Sequence, residues 1–175
     1  MTAKDDGLFR RFTPKLASSG KLQAVIEQVQ PAGPAPTIPI APTIPERRQG
    51  MAMQPEDADF AAAAVWRVKL PAGVDSSRDV RLRVRYTGDV IRVYLGDKLL
   101  TDDFYTARPF EIGLRRYGSA AYQDGLTIKI LPFSENAPIY LTDPSKLKFS
   151  DNHTALTLDG IDVVEMREVR LEAGR

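Results

Sequence analysis

The sequence predicts an all-β protein, an antiparallel β-sandwich. Apolar residues recur at every second position in several short runs, the period of a strand with one buried face. Gly, Pro, Asn and Asp cluster between those runs, as turns require. No long stretch carries the 3.6-residue period of an amphipathic helix.

Ahead of the first clear strand, Leu22, Ala24 and Ile26 suit a strand better than the helical set Leu22, Ile26 and Val29. Residues 1–30 are therefore expected to add one or two strands or to pack along an edge of the sandwich. Residues 31–57 hold seven of the 13 prolines, with Ala-Pro-Thr-Ile-Pro at 35–39 and again at 41–45. Proline lacks an N–H and fixes φ, so this stretch reads as an extended connector and not as a sheet interior. The body of the domain is expected over residues 58–172. Trp66, Val68 and Leu70 alternate with Arg67 and Lys69; Val80, Leu82, Val84 and Tyr86 alternate with Arg81, Arg83 and Arg85. Ile91, Val93 and Leu95 run into Gly96-Asp97, a tight-turn signal before Lys98-Leu99-Leu100. Leu126, Ile128 and Ile130 form the next run. Leu156 and Leu158 face Ile161 and Val163 across Asp159-Gly160, which reads as a hairpin. The final run, from Val163 to Leu171, changes face part-way and suits a bulge.

Composition narrows the chemistry. The 24 Lys and Arg balance 23 Asp and Glu, giving a formal charge of +1, so no surface-wide polyanion site and no nucleic-acid partner are expected. Cysteine is absent, which removes disulfides, thiolate metal sites and cysteine nucleophiles. No apolar run reaches the roughly 18–20 residues of a membrane-spanning helix, and Met1–Phe12 lacks the apolar core of a signal peptide. Neither membrane nor cofactor is called for.

His153 is the single histidine. It lies in Ser-Asp-Asn-His-Thr beside a turn, with no G-x-S-x-G elbow anywhere, and reads as a surface residue. Asp102, Asp103 and Asp151 could furnish calcium ligands, but their spacing matches no EF-hand loop and turn acids explain them better. The arginines at 81, 83, 85 and 92 read as the solvated face of strands. Phe104 and Tyr105 follow two aspartates and interrupt the strand pattern. Aromatics beside Asp, Arg and Asn make sugar sites, the rings stacking on C–H faces while polar groups take the hydroxyls; the same loop could instead plug one end of the sandwich or dock onto another domain, and that reading outweighs a ligand site. Trp66, Asp103, Phe104, Tyr105 and Arg108 are the candidate carbohydrate-binding residues. Trp66 ranks last because its strand phase favours the core. No catalytic residue and no metal ligand is assigned.

Arg83-Val-Arg-Tyr-Thr-Gly-Asp-Val-Ile-Arg-Val-Tyr-Leu-Gly-Asp-Lys-Leu-Leu-Thr-Asp-Asp-Phe-Tyr105 resembles a segment of the C-terminal β-sandwich region of bacterial glycoside hydrolase family 35 β-galactosidases. Arg108-Pro-Phe-Glu-Ile-Gly-Leu114, Leu131-Pro-Phe133, Ala137-Pro-Ile-Tyr-Leu141 and Gln30-Pro-Ala-Gly-Pro34 extend the likeness over roughly residues 20–142. Two departures stand out: Gly96-Asp97 where Asn-Gly or Asp-Gly is usual, and Asp103 in place of Asn. The resemblance implies a jelly-roll, galactose-binding-like sandwich. It also implies a non-catalytic accessory domain of a β-galactosidase-like hydrolase, because the family's acid/base and nucleophile belong to a barrel of roughly 300 residues that has no counterpart here. The implied partners are a galactoside-type carbohydrate or the catalytic domain of a parent hydrolase, and the implied setting is periplasmic or extracellular. A purely structural sandwich bracing that catalytic domain is the alternative.

Overall fold

The computed structural model describes residues 2–13, 22–43, 50–141, 145 and 147–168. The period-two runs become two antiparallel sheets. One contains β4 (Val25–Gln30), β5 (Ala64–Lys69), β10 (Leu126–Ile130), β7 (Val90–Leu95) and β8 (Lys98–Phe104), in that spatial order. The other contains β3 (Leu22–Gln23), β13 (Thr157–Glu165), β6 (Val80–Thr87) and β9 (Phe110–Gly113). β1 (Thr2–Asp6) pairs with β2 (Phe9–Thr13), and β11 (Phe133–Ser134) pairs with β12 (Thr154–Ala155). Among the described residues the helical elements are two 3₁₀ segments, Asp57–Ala62 and Leu114–Tyr117, and one α-turn, Ala120–Gln123.

The inward phases of both sheets meet in one core. Trp66, Val68, Ile91, Val93, Leu126, Ile128 and Ile130 from one face join Leu82, Val84, Tyr86, Ile112, Ile161 and Val163 from the other. Each fully buried aliphatic side chain stabilises this arrangement by about 1.5–3 kcal/mol. The protein is an all-β sandwich. A smaller cluster of Phe60, Ala63, Val90 and Leu131 sits apart from this core and brings in the 57–62 segment.

The outward phase explains the arginines. Arg83 donates to Glu111 Oε1 through Nε at 3.0 Å and Nη2 at 2.8 Å. Arg85 pairs with Asp162 on the neighbouring β13. Arg92 donates to Asp57 Oδ1 at 2.6 Å, and its guanidinium lies 3.9 Å from the Phe60 ring centroid. Arg83 and Arg85 are thus cross-strand partners of acids, and at such partly exposed positions each pair contributes about 0–1 kcal/mol. Arg92 departs from the expected solvated face: its side chain is 13% exposed, its partner lies in the 57–62 segment, and its Nε has no hydrogen-bond partner among the described residues.

Three local expectations change. Asp159-Gly160 is not a hairpin turn: Thr157–Glu165 is one strand along β6, with Asp159 bulged out between Leu158↔Tyr86 and Gly160↔Arg85. A Gly in that phase-shifting position serves a bulge as well as a turn. The expected bulge in the final run thus lies earlier, β13 stops at Glu165, and residues 169–175 lie outside the described set. Finally, Thr101–Phe104 is strand rather than loop. β8 pairs Val93 with Thr101 but Tyr94 with Leu99, so Leu100 is the extra residue that shifts the phase. The Gly96-Asp97 turn forms as expected, with Gly96 at φ 57.

In the connector, residues 31–43 and 50–56 contain no strand. They fold back on themselves through Ala41 N–H to Met51 O at 2.8 Å and Met53 N–H to Pro39 O at 2.9 Å.

Gly88 links β6 in one sheet to β7 in the other. A Cβ there would run into the Ile130 side chain and lie 2.8 Å from the Leu131 carbonyl oxygen. Gly88→Ala is therefore expected to lower unfolding free energy by about 2–4 kcal/mol in urea titrations. Gly113→Ala, where a Cβ meets nothing within 4 Å, should change it by less than about 0.5 kcal/mol.

Candidate functional site

The aspartate–aromatic stretch highlighted by the sequence lies at the end of the sandwich where the chain changes sheet. Thr87 ends β6, Val90 begins β7, and the two residues between them make the passage. Asp89 is fixed there by its backbone: its N–H donates to Leu131 O at 2.8 Å, and its carbonyl accepts from Tyr105 N–H at 2.9 Å. Tyr105 is thereby tied to the passage immediately after β8.

The Tyr105 ring turns inward, 8% exposed, and meets Tyr86 edge-on with centroids 5.6 Å apart and planes at 72°. The Tyr86 hydroxyl donates to Asp103 Oδ2 at 3.2 Å. Burial, followed by the Asp103 carboxylate beside it, holds the Tyr86 phenol far above its ordinary range. Asp103 itself is raised by burial, with Asp102 adding to the shift and the Tyr86 hydrogen bond opposing it. Asp89 is 4% exposed, its carboxylate has no hydrogen-bond or ion-pair partner among the described residues, and burial raises its pKa to about 6.

The five carbohydrate candidates divide clearly. Trp66 is 7% exposed on the inner face of β5, within the core. Tyr105 and Asp103 belong to the internal cluster just described. Phe104, 49% exposed, and Arg108 face solvent. Among the three aromatic candidates, then, Phe104 alone offers a ring to a ligand outside.

A second concavity lies elsewhere, between residues 32–35 and the β11–β12 pair, with a volume of about 510 Å³. Ser134, Asn136, Asn152, His153 and Thr154 supply its polar side. His153 has a left-handed backbone, φ 57, and its Nδ1 lies 2.6 Å from Glu135 Oε2. Sequence reasoning placed His153 on the surface, which holds, but missed Asn136 and Asn152 beside it. Their common location depends on β11 pairing with β12, two strands of two residues each, too short for any alternation to announce.

Comparison of the chain with protein-family models, curated proteins and solved structures finds no match. Among the described residues, no group of three or more His, Cys, Asp or Glu is placed to hold a metal ion.

The buried carboxyl makes a pH prediction. Asp89 is harder to ionise when folded, pKa about 6, than unfolded, near 3.8. The folded state thus binds more protons between those values, and stability falls as pH rises through that window. Asp89→Asn should flatten this dependence and stabilise the protein at pH 7 by about 2–3 kcal/mol, with little effect below pH 4. Urea midpoints at pH 3.5, 5 and 7 read the effect; an unchanged slope in the variant would assign the titration to another group.

Proposed function

We propose that this chain is a non-catalytic accessory domain of a β-galactosidase-like glycoside hydrolase, a jelly-roll module with weak affinity for galactoside-type carbohydrate. The observation that carries the reading is how the family-like stretch is used. Residues 83–105 run from β6 in one sheet into β7 and β8 in the other, and four of the shared positions, Tyr86, Gly88, Asp89 and Tyr105, sit at the passage between sheets. Part of the resemblance therefore falls on a compact structural device, while Leu99 and Phe104 carry it to the exposed side. In this reading the hydrolysis of terminal β-galactosides belongs to another domain of the parent enzyme. Phe104, at the end of β8, and Arg108, just beyond it, are the exposed candidates, while Asp103 accepts from Tyr86 and Trp66 and Tyr105 act by packing.

A second reading, that the sandwich braces a catalytic domain, is favoured by one specific feature. The β1–β2 hairpin exposes every residue from Thr2 to Thr13, with Leu8 at 100% and Phe9 at 80%. Isolated two-stranded hairpins are marginal in water, and apolar side chains at their tips suit burial against something else.

Isothermal titration of the purified chain with galactose, lactose and plant galactans separates the two. Saturable heat at millimolar sugar is expected for the carbohydrate module. If no sugar gives heat, and sedimentation velocity shows self-association that Phe9→Ser abolishes, the bracing reading replaces it.

A further inference from the structure

We infer that the cleft between residues 32–35 and the β11–β12 pair binds a neutral, hydroxyl-rich ligand of mono- or disaccharide size. The inference deepens the carbohydrate reading above, on which it rests, and moves the principal sugar contact away from Phe104.

The polar wall is rigid before any ligand arrives. His153 N–H donates to Ser150 O at 2.9 Å, Ser150 N–H donates to Thr154 O at 2.9 Å, and Glu135 N–H donates to His153 O at 2.9 Å. These three bonds hold His153 at φ 57, a conformation that costs a residue with a Cβ about 1 kcal/mol. The strained turn keeps Asn152 and His153 at the cleft. Glu135 then fixes the imidazole: a carboxylate 2.6 Å from Nδ1 requires a proton there, so Nε2 is the ring atom left for another partner.

The free hydrogen-bonding groups define the ligand. The carboxamides of Asn136 and Asn152 have no partner among the described residues, although both residues line the cleft. Each offers a donor and an acceptor on one planar group, which matches adjacent hydroxyls that also donate and accept. Charge points the same way. His153 is the one ionisable residue lining the cleft, and its Nδ1 is engaged by Glu135. No cluster of like charges lines the cleft to select a phosphate, carboxylate or amine, and a neutral ligand needs none. The opposite wall, with Ala32, Pro34 and Ala35, is apolar and suits the C–H face of a sugar ring. An apolar wall facing a few placed polar groups, within about 300–1,000 Å³, is the usual form of a small-molecule site.

The test uses the full chain, ¹⁵N-labelled, titrated with galactose and lactose and, separately, with inorganic phosphate. Calorimetry and amide spectra are read for the native chain and for Asn136→Ala, Asn152→Ala and Phe104→Ala. Asn136, Asn152 and Phe104 are all exposed, so the variants should fold, and circular dichroism checks this. The expected result is saturable sugar binding that shifts the side-chain amide signals of Asn136 and Asn152. Each Asn variant should weaken it about tenfold, a larger loss than Phe104→Ala causes. Binding lost in Phe104→Ala but kept in both Asn variants would overturn the cleft assignment and leave the carbohydrate module standing. Phosphate shifting the same signals more strongly than sugar would overturn the neutral-ligand assignment. No sugar heat from the native chain would overturn the cleft assignment and the carbohydrate reading together.

Discussion

The architecture turns on a steric constraint two residues long. Between β6 and β7 the chain leaves one sheet and enters the other, and Gly88 passes so close to Ile130 and Leu131 that no side chain fits. The next residue, Asp89, is pinned by its own amide and carbonyl to Leu131 and Tyr105. One short crossing therefore sets the distance between the sheets, anchors the end of β10 and fastens the segment leaving β8. The core residues on either side can interdigitate only because this passage brings their strands to a fixed separation.

The same crossing explains an otherwise costly feature. A carboxyl without partners, almost wholly buried, is an expensive thing to keep in a fold. At Asp89 the backbone does the holding, and the side chain is carried into the interior by that geometry. Tyr86 and Tyr105 pack edge-on in the same region, and Asp103 accepts the one phenolic hydrogen bond there. The polar groups at this end of the sandwich thus divide between those satisfied by each other and one left to titrate.

Much of the fold was legible in the sequence because burial on one face imposes a period of two. Val80 to Tyr86 and Leu126 to Ile130 are buried in the phase their spacing predicts. Legibility fails wherever a bulge inserts one residue. At Leu100 it turned a strand into an apparent loop, and at Asp159-Gly160 it made a continuous strand look like two. Only the partner strand distinguishes these cases: β6 runs on past Asp159 instead of ending there. The candidate site was half legible. Asp103, Phe104 and Tyr105 were found together, but burial of Tyr105 depends on a hydrogen bond to Asp89 that no local pattern encodes. The cleft was not legible, since its two walls come from distant parts of the chain.

Residues 22–30 carry one more consequence. β3 and β4 are consecutive, separated by Ala24 alone, yet they join opposite sheets, β3 along β13 and β4 along β5. Ala24 N–H donates to Ile161 O at 2.9 Å in the step between them. A single segment thus laces the two layers along one side like a seam. Both its strands are edges, so the seam can open one rung at a time while the central strands stay intact. Tension drawn through the N-terminal side would unzip this seam, whereas β13, flanked by partners on both sides, would have to be sheared as a whole. The sandwich therefore has a weak direction and a strong one, set by which strand the load enters.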